Sequence, residues 1–235
     1  MATSLILEER VRFGAGDRLA GVLHYPAEAT PDYAVLLFPP HPNFAGDMDN
    51  NVIQVLAQRL ASDAITLRFD YRGIGQSRIT LPTGLSLFDY WEDLEEKRAY
   101  ADPLADAADA ADALWHMSGG LPMIAVGYSF GSLTGTRTAL GDDRFRGLVG
   151  IAPPLQRITF DFLADCPKPC LFLSGEDDFI FDAHVADQIQ VRGGTNLTYE
   201  RIPGMDHFAR DWEAWLADHI AHFVDKNRRA HGPRQ

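Results

Sequence analysis

The chain has 235 residues, 46% of them hydrophobic and 23% charged, a length that one α/β domain reaches and a balance that excludes disordered and fibrous classes. A formal net charge of −12 excludes polyanion recognition, which rests on clustered Lys and Arg, so no nucleic-acid partner is expected. No apolar run is long enough to span a bilayer, and Met1 to Arg12 lacks the basic start, apolar stretch and small-residue cleavage site of a leader. A cytoplasmic protein with no membrane partner is the expectation.

Short apolar runs alternate with longer amphipathic segments, the rhythm of a largely parallel sheet. Val11 to Phe13 and Leu19 to Tyr25 flank Gly14-Ala15-Gly16-Asp17, residues suited to the positive φ of a hairpin turn, so the sheet starts antiparallel. Tyr33 to Phe38 reads as a buried strand that stops at Pro39-Pro40, because proline cannot donate to a ladder. Val52 to Ala61 has one apolar helical face, and Ala64 to Tyr71 is the next strand. Further helices are expected over Ala105 to His116, Ser129 to Leu140, Ala183 to Val191 and Trp212 to Val224. Further strands are expected over Met123 to Val126, Leu148 to Ile151, Cys170 to Leu173 and Leu197 to Ile202. The basic end, Lys226 to Gln235, reads as a solvated, flexible tail on a single domain spanning 1–235.

The chemical signal is Gly127-Tyr128-Ser129-Phe130-Gly131, a G-x-S-x-G between a predicted strand and a predicted helix. Glycines two residues either side of the serine remove Cβ atoms that would collide in so tight a turn, and Ser129 is left projecting as a nucleophile. A Gly-rich turn can also hold phosphate at a helix N-terminus, but the G-x-G-x-x-G spacing is missing. Serine needs a histidine base and a carboxylate that orients it. A loop carrying Glu176, Asp177 and Asp178 follows one strand, and His207 follows the next. Both lie at strand C-terminal ends, where α/β sheets place their sites. Apart from His41, which lies in a Pro-rich loop, the other histidines fall in an early strand, in helical patterns or in the tail.

With these residues the chain resembles the α/β-hydrolase superfamily over nearly its whole length, in particular short bacterial serine hydrolases without a cap domain. The resemblance implies a mainly parallel twisted sheet of about eight strands with helices on both faces. Gly175-Glu176-Asp177-Asp178 matches that family's G-x-x-D and singles out Asp178, and Gly204-Met205-Asp206-His207 matches its G-x-x-H. Phe69 to Ser77 (FDYRGIGQS) matches F-[DN]-x-R-G-x-G-x-S, for which the resemblance implies a structural turn. The expected site is therefore Ser129, His207 and Asp178.

An oxyanion hole in this fold takes the N–H after the nucleophile, here Phe130, and one from the loop after the third strand. Pro39 and Pro40 have no N–H, so His41 and Asn43 are the first donors available, and His41 is preferred. Pro39 and Pro40 replace the His and Gly of the usual H-G-x. Asp47 and Asp49 near this loop invite a metal reading, but capping of the following helix explains them better, and no metal or cofactor is expected. Cys166 and Cys170 complete no metal-ligand set, and a cytosolic protein of this size needs no disulfide.

Only about eighteen residues separate Ile151 from Cys170, room for a short helix near Thr159 to Leu163 but not for a cap, so an open pocket is expected. The inserted segment 79–102 carries Phe88, Tyr90, Trp91 and Tyr100. It either folds over the active-site rim, extends the following helix on the protein's side, or serves as a homodimer contact. The expected activity is hydrolysis of an ester or related acyl bond of a small molecule through an acyl-serine intermediate. A thioesterase, amidase or acyltransferase shares the same residues, and a non-catalytic binding module is the alternative of a different class.

Overall fold

The structure is a computed structural model that describes residues 5–44, 46–164 and 166–229. In chain order its main elements are β1 (Ile6–Phe13), β2 (Leu19–Pro26), β3 (Ala34–Phe38), α1 (Asn51–Leu60), β4 (Ile65–Asp70), α2 (Leu87–Lys97) and α3 (Ala101–Met117). They continue with β5 (Met123–Tyr128), α4 (Phe130–Leu140), β6 (Phe145–Ile151), β7 (Cys170–Gly175), α5 (Ala183–Arg192), β8 (Leu197–Ile202) and α6 (Glu213–Arg229). The strands form one sheet in the order β1-β2-β4-β3-β5-β6-β7-β8. The β1–β2 and β2–β4 pairs are antiparallel, and every pair from β4–β3 onward is parallel.

The unbroken apolar reading of β3 follows from burial on both faces. Ala34, Leu36 and Phe38 enter one core, Val35 and Leu37 the other. The first core is closed by α3, α4 and α5 through residues such as Ala110, Leu114, Leu133 and Ile189. The second is closed by α1 and α6 through Val52, Leu56, Leu216 and Ile220. The sheet thus has helices on both faces, which leaves the C-terminal ends of β3, β5, β7 and β8 as neighbouring open loops at one edge of the sandwich.

Four details depart from the sequence reading. Strand β1 begins at Ile6, not Val11, and pairs with β2 over its full length. Its exposed Leu7, Glu8, Glu9 and Arg10 carry no apolar alternation, and such charge suits an edge strand by discouraging edge-to-edge pairing. Segment 79–102 is not an extension of the next helix. It holds a separate helix, α2, which ends where Arg98 turns left-handed at φ 52° before α3 begins. The short helix expected near Thr159 to Leu163 is a single 3-10 turn, Asp161–Leu163. Lys226 to Arg229 are helical, since α6 runs on to Arg229, and Arg228 pairs with Asp32 and Asp225; the rest of the expected tail, 230–235, lies outside the described residues.

Candidate active site

Ser129 sits between β5 and α4 with φ 53° and ψ −115°, a conformation that costs a non-glycine residue free energy and marks a turn held by its surroundings. Its N–H donates to Ile151 O at 2.8 Å, which ties the turn to β6. The flanking glycines follow from close backbone approach. A Cβ on Gly127 would lie 2.0 Å from Gly131 O, and one on Gly131 would lie 2.0 Å from Phe38 O. The G-x-S-x-G spacing is thus a steric requirement of packing α4 against its own strand and against β3.

Ser129 Oγ lies 3.1 Å from His207 Nε2, and His207 Nδ1 lies 2.9 Å from Asp178 Oδ2. A carboxylate only accepts, so the imidazole proton sits on Nδ1 and Nε2 is left to accept the serine O–H. The other carboxylate oxygen, Oδ1, accepts the Ile180 N–H at 2.9 Å, and the Asp178 side chain is fully buried. Of the three neighbouring carboxylates only Asp178 turns inward; Glu176 and Asp177 are exposed, and the Asp177 N–H donates to Met205 O. That bond and the contact of Gly175 with Met205 hold the Asp178 and His207 loops together, for a Cβ on Gly175 would lie 1.8 Å from Met205 O. From beneath, the Tyr128 hydroxyl donates to His207 O at 2.6 Å.

After β3, the loop of His41 lies on the other side of Ser129. The Asn43 N–H donates to His41 Nδ1 at 3.2 Å, so of the two N–H groups considered for an oxyanion hole, that of Asn43 is already engaged. Among the described residues no acceptor takes the N–H of His41 or of Phe130. The His41 ring packs edge-on against Trp91 of α2 and Phe130 of α4, with centroids 5.6 and 5.2 Å away. Burial in that aromatic nest, aided by the nearby Arg157 cation, pushes His41 down to about 4, so the ring is neutral at pH 7. Of the carboxylates beside this loop, Asp49 pairs with Arg68 and Asp47 accepts the Asp49 N–H. The cap of α1 is Asn50, which accepts the Val52 N–H, and not either aspartate.

Ser129, His207, His41 and Phe130 line a cavity of about 90 Å³. Its walls are mainly apolar, with Phe44, Ile158, Phe179 and Phe208 contributing, and its charged groups are Glu95 of α2 and Arg157 of the β6–β7 connection, 3.8 Å apart. Trp91, Glu95 and Arg157 were not legible as site residues. The aromatic cluster of 79–102 marked the segment, but only the packing of α2 shows that Trp91 is fully buried beneath His41. The FDYRGIGQS segment is a turn away from this cavity. In it Arg72 pairs with Asp102 and Asp106, and Ser77 Oγ bridges Asp70 O and Ala20 N.

A serine hydroxyl facing an unprotonated imidazole nitrogen, itself backed by a buried carboxylate, can deliver a nucleophilic oxygen at neutral pH. No family model matches the chain. It is 26% identical, over 84% of its length and 80% of the other's, to an uncharacterised protein of Rickettsia prowazekii. Among solved structures it is similar to an Agrobacterium tumefaciens protein of unknown function described as a candidate alpha/beta hydrolase, at 26% identity and a TM-score of 0.76, covering 97% of this chain and all of that one. It is also similar to a Xanthomonas campestris alpha/beta serine hydrolase without a lid, at 22% identity and a TM-score of 0.72, with 97% of each chain covered. A third similar structure is a cold-adapted esterase from an Arctic intertidal metagenomic library, at 21% identity and a TM-score of 0.68, covering 94% and 95%. The described residues therefore carry the α/β-hydrolase fold, in its form without a cap domain.

Proposed function

We propose that this protein is a serine hydrolase that cleaves a carboxylic ester of a small molecule through an acyl-Ser129 intermediate. The observation that carries this reading is the unbroken hydrogen-bonded path from Ser129 Oγ through His207 to Asp178, at 3.1 and 2.9 Å. Ser129 Oγ attacks the carbonyl carbon as its proton passes to His207 Nε2. The carbonyl oxygen becomes an oxyanion that accepts from the backbone N–H groups of Phe130 and His41. Collapse of the tetrahedral intermediate expels the alcohol, which takes the proton from His207. Water then repeats the sequence on the acyl enzyme and releases the acid. Throughout, Asp178 accepts the Nδ1–H, fixing the tautomer and stabilising the imidazolium.

The cavity supports a substrate with a short acyl chain. At about 90 Å³, and with roughly 10–15 Å³ needed for one water, it favours a short acyl chain over a long one. Its apolar lining favours an uncharged acyl group over a charged one. The reaction draws on side chains and backbone alone, with no cofactor or metal.

The test is hydrolysis of p-nitrophenyl esters of graded acyl length by the wild type and by Ser129→Ala. Turnover of acetate and butyrate esters, falling at longer chains and abolished in the variant, is the expected result. Turnover that survives in Ser129→Ala refutes the mechanism, and kcat/KM rising steadily to long chains refutes the substrate class.

A further inference from the structure

At the opposite end of the sheet from the cavity, the run Cys166-Pro167-Lys168-Pro169-Cys170 brings two thiol sulfurs to 3.4 Å from one another. Both cysteines are buried, at 2% and 1% exposure, and both are free. Cys170 opens β7 and is held between Leu148 of β6 and Leu197 of β8. Cys166 ends the β6–β7 connection, where its N–H donates to Leu163 O at 3.1 Å and its carbonyl accepts from Asn196 Nδ2 at 3.0 Å. Between them, two prolines fix φ on either side of Lys168. The Lys168 carbonyl faces both thiols, at 3.6 Å from Cys166 Sγ and 3.2 Å from Cys170 Sγ, and its ammonium is anchored on the carbonyls of Ala139 and Asp142 at the end of α4. Packing alone would be satisfied by two small apolar residues. Here a stiff loop, pinned at three points, aims one sulfur at the other.

We propose that Cys166 and Cys170 are a modification site that closes to a reversible intramolecular disulfide on reaction with a peroxide. The Cys166 thiolate attacks one peroxide oxygen and the O–O bond breaks, which gives a Cys166 sulfenic acid; the hydroxide released takes up the thiol's proton and leaves as water. The Cys170 sulfur then attacks the Cys166 sulfur, the S–O bond breaks, and the hydroxyl leaves as a second water with the Cys170 proton. Two thiols are oxidised by two electrons in all, and the peroxide is reduced to two waters. Hydrogen bonding from the Cys170 thiol to the Cys166 sulfur lowers the pKa of Cys166, which makes it the first to react. The sulfurs, 3.4 Å apart, close to the roughly 2.05 Å of a disulfide when the bond forms. The bridge ties down one end of the connection whose other half carries Arg157 and Ile158 at the cavity wall.

The test treats the folded full-length protein with hydrogen peroxide, alkylates it without reduction, and reads intact mass and peptide maps. Loss of both thiols together is expected, with a mass decrease of about 2 Da, a Cys166–Cys170 crosslinked peptide, and recovery with dithiothreitol. In Cys170→Ser the product becomes a Cys166 sulfenic acid that dimedone traps. The proposal is overturned if wild-type Cys166 gains oxygen while Cys170 stays alkylatable, if the link forms between chains, or if neither thiol reacts under conditions that oxidise the protein unfolded in urea.

Discussion

Replacing Asp178 by Asn probes the relay without changing its shape. The side chain has two ends with fixed demands: Oδ1 accepts the Ile180 N–H at 2.9 Å, and Oδ2 faces His207 Nδ1 at 2.9 Å. An asparagine must keep its oxygen toward Ile180, because two N–H groups cannot face one another in a buried site. Its NH2 then faces Nδ1 and donates to it, which moves the imidazole proton to Nε2. In that tautomer His207 donates to Ser129 Oγ and can no longer accept the proton that Ser129 must lose. Loss of the correct tautomer in a comparable relay costs about 10⁴ in kcat, so we expect a fall of roughly 10³–10⁴, about 4–5.5 kcal/mol of transition-state stabilisation. Asp177→Asn is the control. Its side chain is exposed and its loop is held through the backbone, so kcat should change by less than about tenfold. The assay is kcat on p-nitrophenyl acetate, with far-UV circular dichroism and thermal melting to verify folding. Asp178→Asn activity within about tenfold of wild type, in a folded protein, would show that Asp178 does not set the His207 tautomer. So would a crippled Asp177→Asn.

Further outcomes follow from the packing and the titrating groups. Gly131→Ala places a Cβ 2.0 Å from Phe38 O and should lower the melting temperature sharply or prevent soluble expression; a variant that melts like wild type contradicts the steric account of the turn. Trp91→Ala removes a fully buried indole beneath His41 and should cost about 3–5 kcal/mol in urea unfolding, with kcat/KM for acetate esters falling as the loop loosens; unchanged stability would place α2 outside the core. His24 is held down to about 4 by burial and then by Arg68, whose Nε–H donates to its Nε2 at 2.9 Å. The unfolded chain therefore binds a proton between about pH 6.5 and 4 that the folded chain refuses. Stability from this group is complete above 6.5 and is lost as pH falls toward 4. His24→Gln keeps an acceptor for Arg68 without titrating, so the stability lost from pH 7 to 5 should be smaller in the variant by about 1–2 kcal/mol. Equal losses in the two proteins would show that His24 is not the group responsible.

How far the molecule could be read from its sequence varied with how local each feature is. The strand–helix rhythm from β3 to α6 was legible, α2 apart, because central strands such as β3, β5 and β7 are buried on both faces, so local apolar pattern and tertiary position agree there. Strand β1 was not fully legible because its outer residues meet solvent and its pairing with β2 is set by neighbours outside the window. The juxtaposition of Ser129, Asp178 and His207 was expected from loop positions, and the structure brings the three together. The choice of Asp178 over its neighbours rested on motif spacing, whereas the physical reason is burial: Glu176 and Asp177 point to solvent. The lining groups Glu95 and Arg157 come from segments far apart in sequence, as does the His24–Arg68 pair. No local pattern reports such contacts. The left-handed turn at Arg98, which separates α2 from α3, was missed because nothing in a charged run marks a single residue for positive φ.

Covalent labelling by a fluorophosphonate reads whether Ser129 is an activated nucleophile, because phosphorus is attacked rapidly by a serine whose proton is being removed by a base. Folded protein incubated with the probe, digested and mapped by mass spectrometry should carry one adduct, on Ser129, with labelling lost in Ser129→Ala and strongly slowed in His207→Ala. Folded wild-type protein that remains unlabelled, or that is labelled at a different residue, would contradict the account.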